Sequence, residues 1–387
     1  MGKLIGTIIE NLVQFGKDSV KTTALSFRVI TKYTAGLISA FICIILMNNL
    51  YGDAIECFPS ENKYRQAMVL KCWMEGVYLD KKLFSQNLNP GDDVLHNGVG
   101  PNSVFDSIDR ITFRYYQWII PMLLLQSFIF YLPYLIWTTC ENKIMQKLLG
   151  KVSFPVFSDD WEKQRKTLIK YIKDVKEKYH REYAIKYIVC EVFAFAMIVL
   201  NILLTKWIIS HEKAHFWNGY WEAVKSFFNG DIVKFMYDSS LMFPLQAKCD
   251  FNIIGPSGTI VDKDALCILP QNVIIDKIFA FIYVWYIFIL MISFLNLVYY
   301  GVLFGCNLLR LFDIGFMLER TVTIREVKEI SHNGTLGTWF TLNSFRRNLV
   351  SIQFQDLCKQ LHQELKAEGK IKRRRNDGGS GDAENYY

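Results

Sequence analysis

Four cysteines, Cys57, Cys72, Cys249 and Cys267, fall as two pairs in two polar segments of the 387-residue chain. In an oxidising compartment an even number of thiols in such segments forms disulfides, and four thiols allow three connectivities. Two of these would join the segments to each other, and one would close each segment on itself. Spacing alone leaves the choice open. A second pattern with chemistry in it is His211-Glu212-Lys213-Ala214-His215. On a helix, H-E-x-x-H puts two histidines on one face to bind zinc, with the glutamate as base. Zinc needs a third protein ligand, however. Asn218 and Trp221 stand where the extended pattern requires a glycine and a third histidine, and the next glutamate after Glu222 is Glu319. With no nucleotide-binding loop, metal cluster or catalytic triad either, the expectation is a non-enzyme with no cofactor, no metal and no nucleic-acid partner.

The elements that must position the cysteines are four apolar runs, 30–50, 115–138, 187–209 and 278–307. About 20 apolar residues at about 1.5 Å rise match a hydrocarbon core of about 30 Å. Charged residues make up 21% of the chain and concentrate between these runs, which a soluble core would not use. The fourth run has no charge between Lys277 and Arg310, so it should tilt or continue as a helix beyond the bilayer. Trp118 and Trp137 frame the second at roughly 28 Å, a fit for anchors at two interfaces. The first run is too long for a cleavable signal and reads as a permanent span. Segment 141–186 has twelve Lys or Arg against seven acids, and the chain from 310 has thirteen against ten. Basic loops stay inside, so both termini are expected in the cytoplasm and loops 51–114 and 210–277 outside the cell. Neither outer loop contains an N-x-Ser/Thr acceptor; the one match, Asn333-Gly334-Thr335, falls inside.

The remaining cysteines, Cys43, Cys140, Cys190, Cys306 and Cys358, lie in spans or cytoplasmic segments and read as buried or reduced thiols. Residues 1–29 form an amino-terminal segment in which Leu4, Ile5, Ile8, Ile9, Leu12, Val13 and Phe15 share one half of a helical wheel. Lys3, Thr7, Glu10, Asn11, Gln14 and Lys17 share the other. Such a helix lies on the inner leaflet or folds into a pore. In 139–186, Leu168, Ile172, Val175, Tyr179 and Tyr183 recur at helical spacing, and 346–366 repeats the pattern through Leu349, Ile352, Leu357 and Leu361. Segment 308–369 is therefore expected to be helical and to join a cytoplasmic dome, with 370–387 a flexible basic tail. Glu191 and Asn296 are expected to make interhelical hydrogen bonds, and Pro133 to kink the second span.

A family resemblance makes the reading specific. Tyr51-Gly52-Asp53-Ala54-Ile55-Glu56-Cys57 and Cys72-Trp73 resemble the first extracellular loop of the innexins, the invertebrate gap-junction proteins. Tyr115-Tyr116-Gln117-Trp118, opening the second span, resembles their most recognisable signature. Pro133 and Trp137, Tyr187 with Cys190-Glu191, Met242-Phe243-Pro244 before Lys248-Cys249, Asp264 to Pro270, Asn272-Val273 and Gly337-Thr338-Trp339-Phe340 continue it in order through about residues 20–365. Connexins, with three cysteines per loop, fit less well. Ala54, Phe58 and Thr338 depart from the family's usual proline, tryptophan and acid, as in a divergent, insect-type member. The resemblance implies an all-α membrane protein with four transmembrane helices per subunit, an amino-terminal pore helix, disulfide-stapled extracellular loops and a helical dome. It further implies the pairs Cys57 with Cys267 and Cys72 with Cys249, and Lys3, Thr7, Glu10, Asn11 and Gln14 lining the pore. As partners it implies innexin subunits in a homo- or hetero-oligomer, an octamer by family resemblance, together with membrane lipids and a docking hemichannel in the adjacent cell. Localisation would be the plasma membrane at gap junctions, with a non-junctional hemichannel as the alternative.

Overall fold

The computed structural model describes residues 20–51, 54–59, 61–80, 98–99, 110–149, 159–209, 216–232, 234–235, 242–254, 257–318, 324–331 and 334–377. Four of its helices are long and apolar enough to cross a membrane: Leu25–Asn48, Ile119–Glu141, Glu177–Ile209 and Pro270–Gly305. The last two have 33 and 36 residues, about 50 Å and 54 Å at helical rise, and so extend beyond the hydrocarbon. In the first span a turn, Leu25–Arg28, and a π-turn, Val29–Tyr33, lead into α1 (Thr34–Tyr51). The π-turn displaces the carbonyl of Val29 from the regular ladder, and the Thr34 hydroxyl donates to it at 2.8 Å. Further helices are α2 (Arg65–Glu75), α3 (Ile119–Glu141), α4 (Asp159–Asp174), α5 (Glu177–Ile209), α6 (Phe216–Phe228), α7 (Pro270–Gly305), α8 (Asn307–Met317), α9 (Leu336–Arg346) and α10 (Ser351–Asp377), with shorter ones at Ile144–Leu149 and Ile324–Ile330. Pro133 sits inside α3.

The chain forms two compact units. One comprises Val29–Leu132 with Phe195–Ile292. In it three spans are joined by a chain of buried polar side chains. Gln126 of α3 donates to the Thr205 hydroxyl of α5 at 2.7 Å and accepts from the Tyr286 hydroxyl of α7 at 3.2 Å. Inside apolar helices an unpaired amide is costly, so each member is held by the others, at about 0.6 kcal/mol per interhelical bond. Ser127 of α3 likewise donates to the carbonyl of Ala35 in α1 at 3.0 Å. The same unit contains a five-stranded sheet that the expectation of stapled loops did not include.

The second unit comprises the described residues up to Arg28, Pro133–Ala194, and the chain from Ser293. Aromatic rings hold it. Tyr187 of α5 lies 5.7 Å from Phe27, 4.9 Å from Trp137, 5.8 Å from Tyr300 and 5.1 Å from Phe340, ring centre to ring centre. Its hydroxyl accepts from the Ala24 amide at 3.1 Å and donates to Glu191 at 2.8 Å. Aromatic pairs at such separations contribute about 0.5–1.5 kcal/mol each beyond area burial. This cluster overrides two expectations. Trp137 is fully buried among the rings, so it is no interfacial anchor, whereas Trp118 is 62% exposed. Glu191 bonds to its own helix one turn earlier, and its other oxygen, like Asn296 Nδ2, has no partner among the described residues.

Helices α4 and α10 are joined by Arg165–Asp356 at 2.7 Å and Lys173–Glu364 at 3.0 Å. Phe354, Leu357, Cys358 and Leu361 form the buried stripe of α10, which leaves Ile352 on the opposite, exposed face. Burial also pushes the Cys358 thiol up to about 12, so it stays protonated. The expected stripe of 160–186 is interrupted because the helix breaks at Val175–Lys176: Leu168 and Ile172 are buried, but Tyr179, in the new phase, is exposed.

Helix α9 is buried along ten of its residues. The Glu177 carboxylate, at the start of α5, accepts from the Gly337 amide at 3.3 Å and the Thr338 hydroxyl at 2.9 Å, capping α9 with negative charge. Trp339 donates to Asp313 of α8 at 2.8 Å. Gly337 is required by close approach: a Cβ there would lie 2.5 Å from the Arg181 amide nitrogen and 2.6 Å from the His180 carbonyl carbon. Gly337→Ala is therefore expected to destabilise by about 1–3 kcal/mol through overpacking against backbone, read as a lowered midpoint of thermal unfolding in detergent. Gly315→Ala, inside α8 with a Cβ that meets nothing, should not lower the midpoint.

Candidate functional site

The two cysteine-bearing loops fold into one sheet. Strands β1 (Glu56–Phe58), β2 (Val77–Asp80) and β3 (Arg110–Phe113) come from the loop after the first span; β4 (Gln246–Ile254) and β5 (Ile260–Ile268) come from the loop after the third. The order is β1-β5-β4-β2-β3, with antiparallel pairing throughout, so the two loops interleave. Strands β4 and β5 form a hairpin of nine residues each; β1, of three residues, needs β5 to exist at all.

Alternation assigns the faces. Cys57 pairs with Cys267, Ala247 with Cys267, and Cys249 with Ala265, so these side chains share one face and all are buried. Helix α2 is tied to that face by Cys72, bonded to Cys249, while Cys57 is bonded to Cys267. The sulfurs of Cys57, Cys72 and Cys267 lie within 4.8 Å of one another. By distance alone such a cluster suits a metal, but every one of these sulfurs is in a disulfide and offers no thiolate. The residues opposite Cys267 and Cys249 on the neighbouring strand are the small Ala247 and Ala265. Met68, one turn before Cys72, is the other buried residue of α2.

The opposite face carries charge. The buried Lys248 ammonium donates to Asp80 at 2.9 Å. Asp250 accepts from the Tyr78 hydroxyl at 2.6 Å and from Arg110 at 2.5 Å, and the Arg110 guanidinium lies 4.0 Å from the Tyr78 ring centre. Burial, then the Asp250 carboxylate, push the Tyr78 hydroxyl well above its ordinary value, so it remains a donor. These pairs link β2, β3 and β4, and thus one loop to the other. They carry no sequence signature; nothing short of the register would have found them.

The signature Tyr115 to Trp118 joins the sheet to the spans. Tyr115, Tyr116 and Gln117 form a 3₁₀ turn ahead of α3. Asn272, in the first turn of α7, donates to the Tyr115 hydroxyl at 2.9 Å, the Tyr116 hydroxyl at 3.2 Å and the Pro244 carbonyl at 2.5 Å. Gln117 donates to the carbonyls of Trp73 at 3.0 Å and Met74 at 3.2 Å, satisfying the carboxyl end of α2. Phe243 stacks on Phe279 at 5.4 Å and meets Tyr115 edge-on at 5.4 Å. Asn272 thus has a central role that its place in the sequence motif did not reveal.

Other predicted positions fall elsewhere. Lys3, Thr7, Glu10, Asn11 and Gln14, and His211 to His215, lie outside the described residues. The described chain begins at Val20, where the Lys21 backbone and the Asn348 side chain exchange two hydrogen bonds, at 2.6 Å and 2.9 Å. Of the cysteines outside the disulfides, Cys190 and Cys358 are buried, and Cys43, Cys140 and Cys306 are exposed.

A family model described as Innexin matches residues 24–365. The chain is 30% identical over 359 residues to innexin inx4 of Anopheles gambiae, covering 88% of this chain and 87% of that one. Innexin shaking-B of Drosophila melanogaster is 28% identical over 359 residues, covering 92% and 93%. Innexin inx2 of the same fly is 25% identical over 351 residues, covering 88% and 90%.

The charged face of the sheet yields a test. Lys248→Met leaves Asp80 buried without its counter-ion and should cost about 3–5 kcal/mol, whereas Lys248→Met with Asp80→Leu should recover most of it. Thermal unfolding midpoints of the three proteins check this, and equal losses in the single and double variants would contradict it.

Proposed function

This chain belongs to the innexin family, and from that premise we propose that it docks end to end with a channel in an adjoining cell and passes ions and small metabolites between the two cytoplasms. Innexins are gap-junction channel proteins, so the chain is an oligomeric multi-pass channel subunit and not an enzyme. In the proposed arrangement both termini are cytoplasmic, and the sheet faces outward as the docking rim. Eight subunits surround the pore. Residues Lys3, Thr7, Glu10, Asn11 and Gln14 set its narrowest part, with the apolar half of the same helix against the first span. In this reading transport is passive, down existing gradients.

One observation carries the junctional reading: both loops contribute strands to one sheet and are locked together by two disulfides. A rim that docks across water must present one fixed surface, because every loop ordered on docking subtracts from affinity. A channel that only opened to the exterior would have no such need. The absence of glycan acceptors in either loop supports an unobstructed rim.

Paired cells that both express the chain should show junctional conductance and dye transfer. Cys72→Ser, with surface expression matched, should abolish coupling, because loss of a native disulfide costs about 2–5 kcal/mol in a small folded loop. Current in single cells without any in pairs would assign the hemichannel instead. In coupled pairs, Asn11→Cys and Gln14→Cys should each respond to a permeant thiol reagent with a change in conductance; inertness at both would remove these residues from the pore.

A further inference from the structure

Helix α6 has more apolar surface than its packing uses. Phe216, Tyr220, Ala223 and Ser226 form its buried face. Phe216 lies 6.0 Å from Phe279, and Tyr220 stacks on Tyr283 at 5.7 Å while its hydroxyl donates to Asp276 at 2.8 Å. At about 100° per residue, Trp217, Trp221, Val224 and Phe228 make a second apolar stripe alongside the first. Asn218, Glu222 and Lys225 make a third, polar one. An amphipathic helix at a water-facing surface needs a single apolar face. This one has two, and Trp221 is 58% exposed and Phe228 82% exposed.

The helix also begins beside the spans. The Trp217 indole N–H donates to the carbonyl of Ile202 at 3.4 Å, about two turns inside the end of α5 at Ile209. Its ring lies 5.1 Å from that of Tyr283, well within α7. Both contacts fall inside helices that cross the membrane. On α5, Leu203 and the 79% exposed Trp207 continue the uncovered apolar surface around the Ile202 contact.

We propose that the Trp217, Trp221, Val224 and Phe228 stripe of α6 is a lipid anchor, seated in the acyl chains of the leaflet in which α5 ends, with Asn218, Glu222 and Lys225 turned to water. Two tryptophans at the start of the stripe and a Lys on the next suit the interfacial zone, where rings with one polar atom are favoured. The anchor holds α6 at the membrane surface. The inference rests on the membrane spans alone, so its success or failure is separable from that of the docking reading.

The competing occupant is a second copy of the chain, and the test separates the two. In the full-length protein, p-acetylphenylalanine replaces Trp221, Lys225 or Phe228 in turn and is coupled through an oxime to a nitroxide, which leaves every cysteine intact. Each labelled protein is reconstituted in phosphatidylcholine vesicles, and collision rates with oxygen and with a water-soluble nickel chelate are measured by power saturation. Oxygen should dominate at 221 and 228, with the order reversed at 225. Nickel dominating at 221 and 228 would place the stripe in water, and low rates with both reagents would place it under a neighbouring subunit; either result overturns the proposal.

Discussion

Cys57 and Cys267 sit opposite one another across strands β1 and β5, and Cys72 reaches from α2 to Cys249 on the adjoining strand. These bonds close loops of 210 and 177 residues in sequence, the kind of closure that loses most entropy if left to weak contacts. Neither β1, with three residues, nor a lone helix of eleven residues would hold its place on a sheet otherwise. Once they are fixed, the rest of the unit follows. The carboxyl end of α2 comes within reach of Gln117, Gln117 ends the 3₁₀ turn ahead of α3, and Asn272 ties that same turn to the start of α7. A covalent choice at four positions thereby sets where two spans begin.

The two units solve the same problem with different interactions. Where strands meet water, backbone groups pair across the sheet and charges are paired too, Lys248 with Asp80 buried and Arg110 with Asp250 part-exposed. Around Tyr187, stability comes from rings, and its hydroxyl satisfies an amide in the approach to the first span while it donates to Glu191. A ring with one polar atom suits that position, since the rest of its surface packs against Phe27, Trp137, Tyr300 and Phe340. Tyr187→Phe would keep the rings and lose both bonds, which makes the hydroxyl, more than the ring, the element linking Ala24 to α5.

The spans were legible because bilayer thickness imposes a run length that few other structures share, and the cysteine-bearing loops because their thiols stand apart from those in the helices. The sheet was not. Strands of three or four residues such as Glu56–Phe58 and Arg110–Phe113 give no alternation long enough to read, and their partners lie far away in sequence. Composition placed Trp137 at an interface because tryptophan is common there; Tyr183 and Tyr187, a turn apart on another helix, bury it instead. Periodicity carried Val175 and Tyr179 into one stripe, since a break of two residues between helices leaves no mark when neither is Gly or Pro. In each case local pattern failed where a distant contact decided.

The departures from the family pattern divide by location, and the division says what each can change. Phe58 is exposed at the end of β1, with the Arg65 guanidinium 6.0 Å from its ring centre, and Ala54 borders a hollow lined by Arg65, Leu70 and Trp73. Both lie on surface beside α2, outside the stapled face, so a different residue there alters what the sheet presents without touching Cys57, Cys72 or the charged pairs. Thr338 is the opposite case. It is buried, and its hydroxyl donates to Glu177 at 2.9 Å. An acid at 338 would bring a second carboxylate against the first, and like charges in contact repel. Threonine at 338 and glutamate at 177 act as a pair: the negative charge that caps α9 comes from the start of α5 and not from the helix itself, so the dipole at the amino end of α9 is satisfied from across the contact.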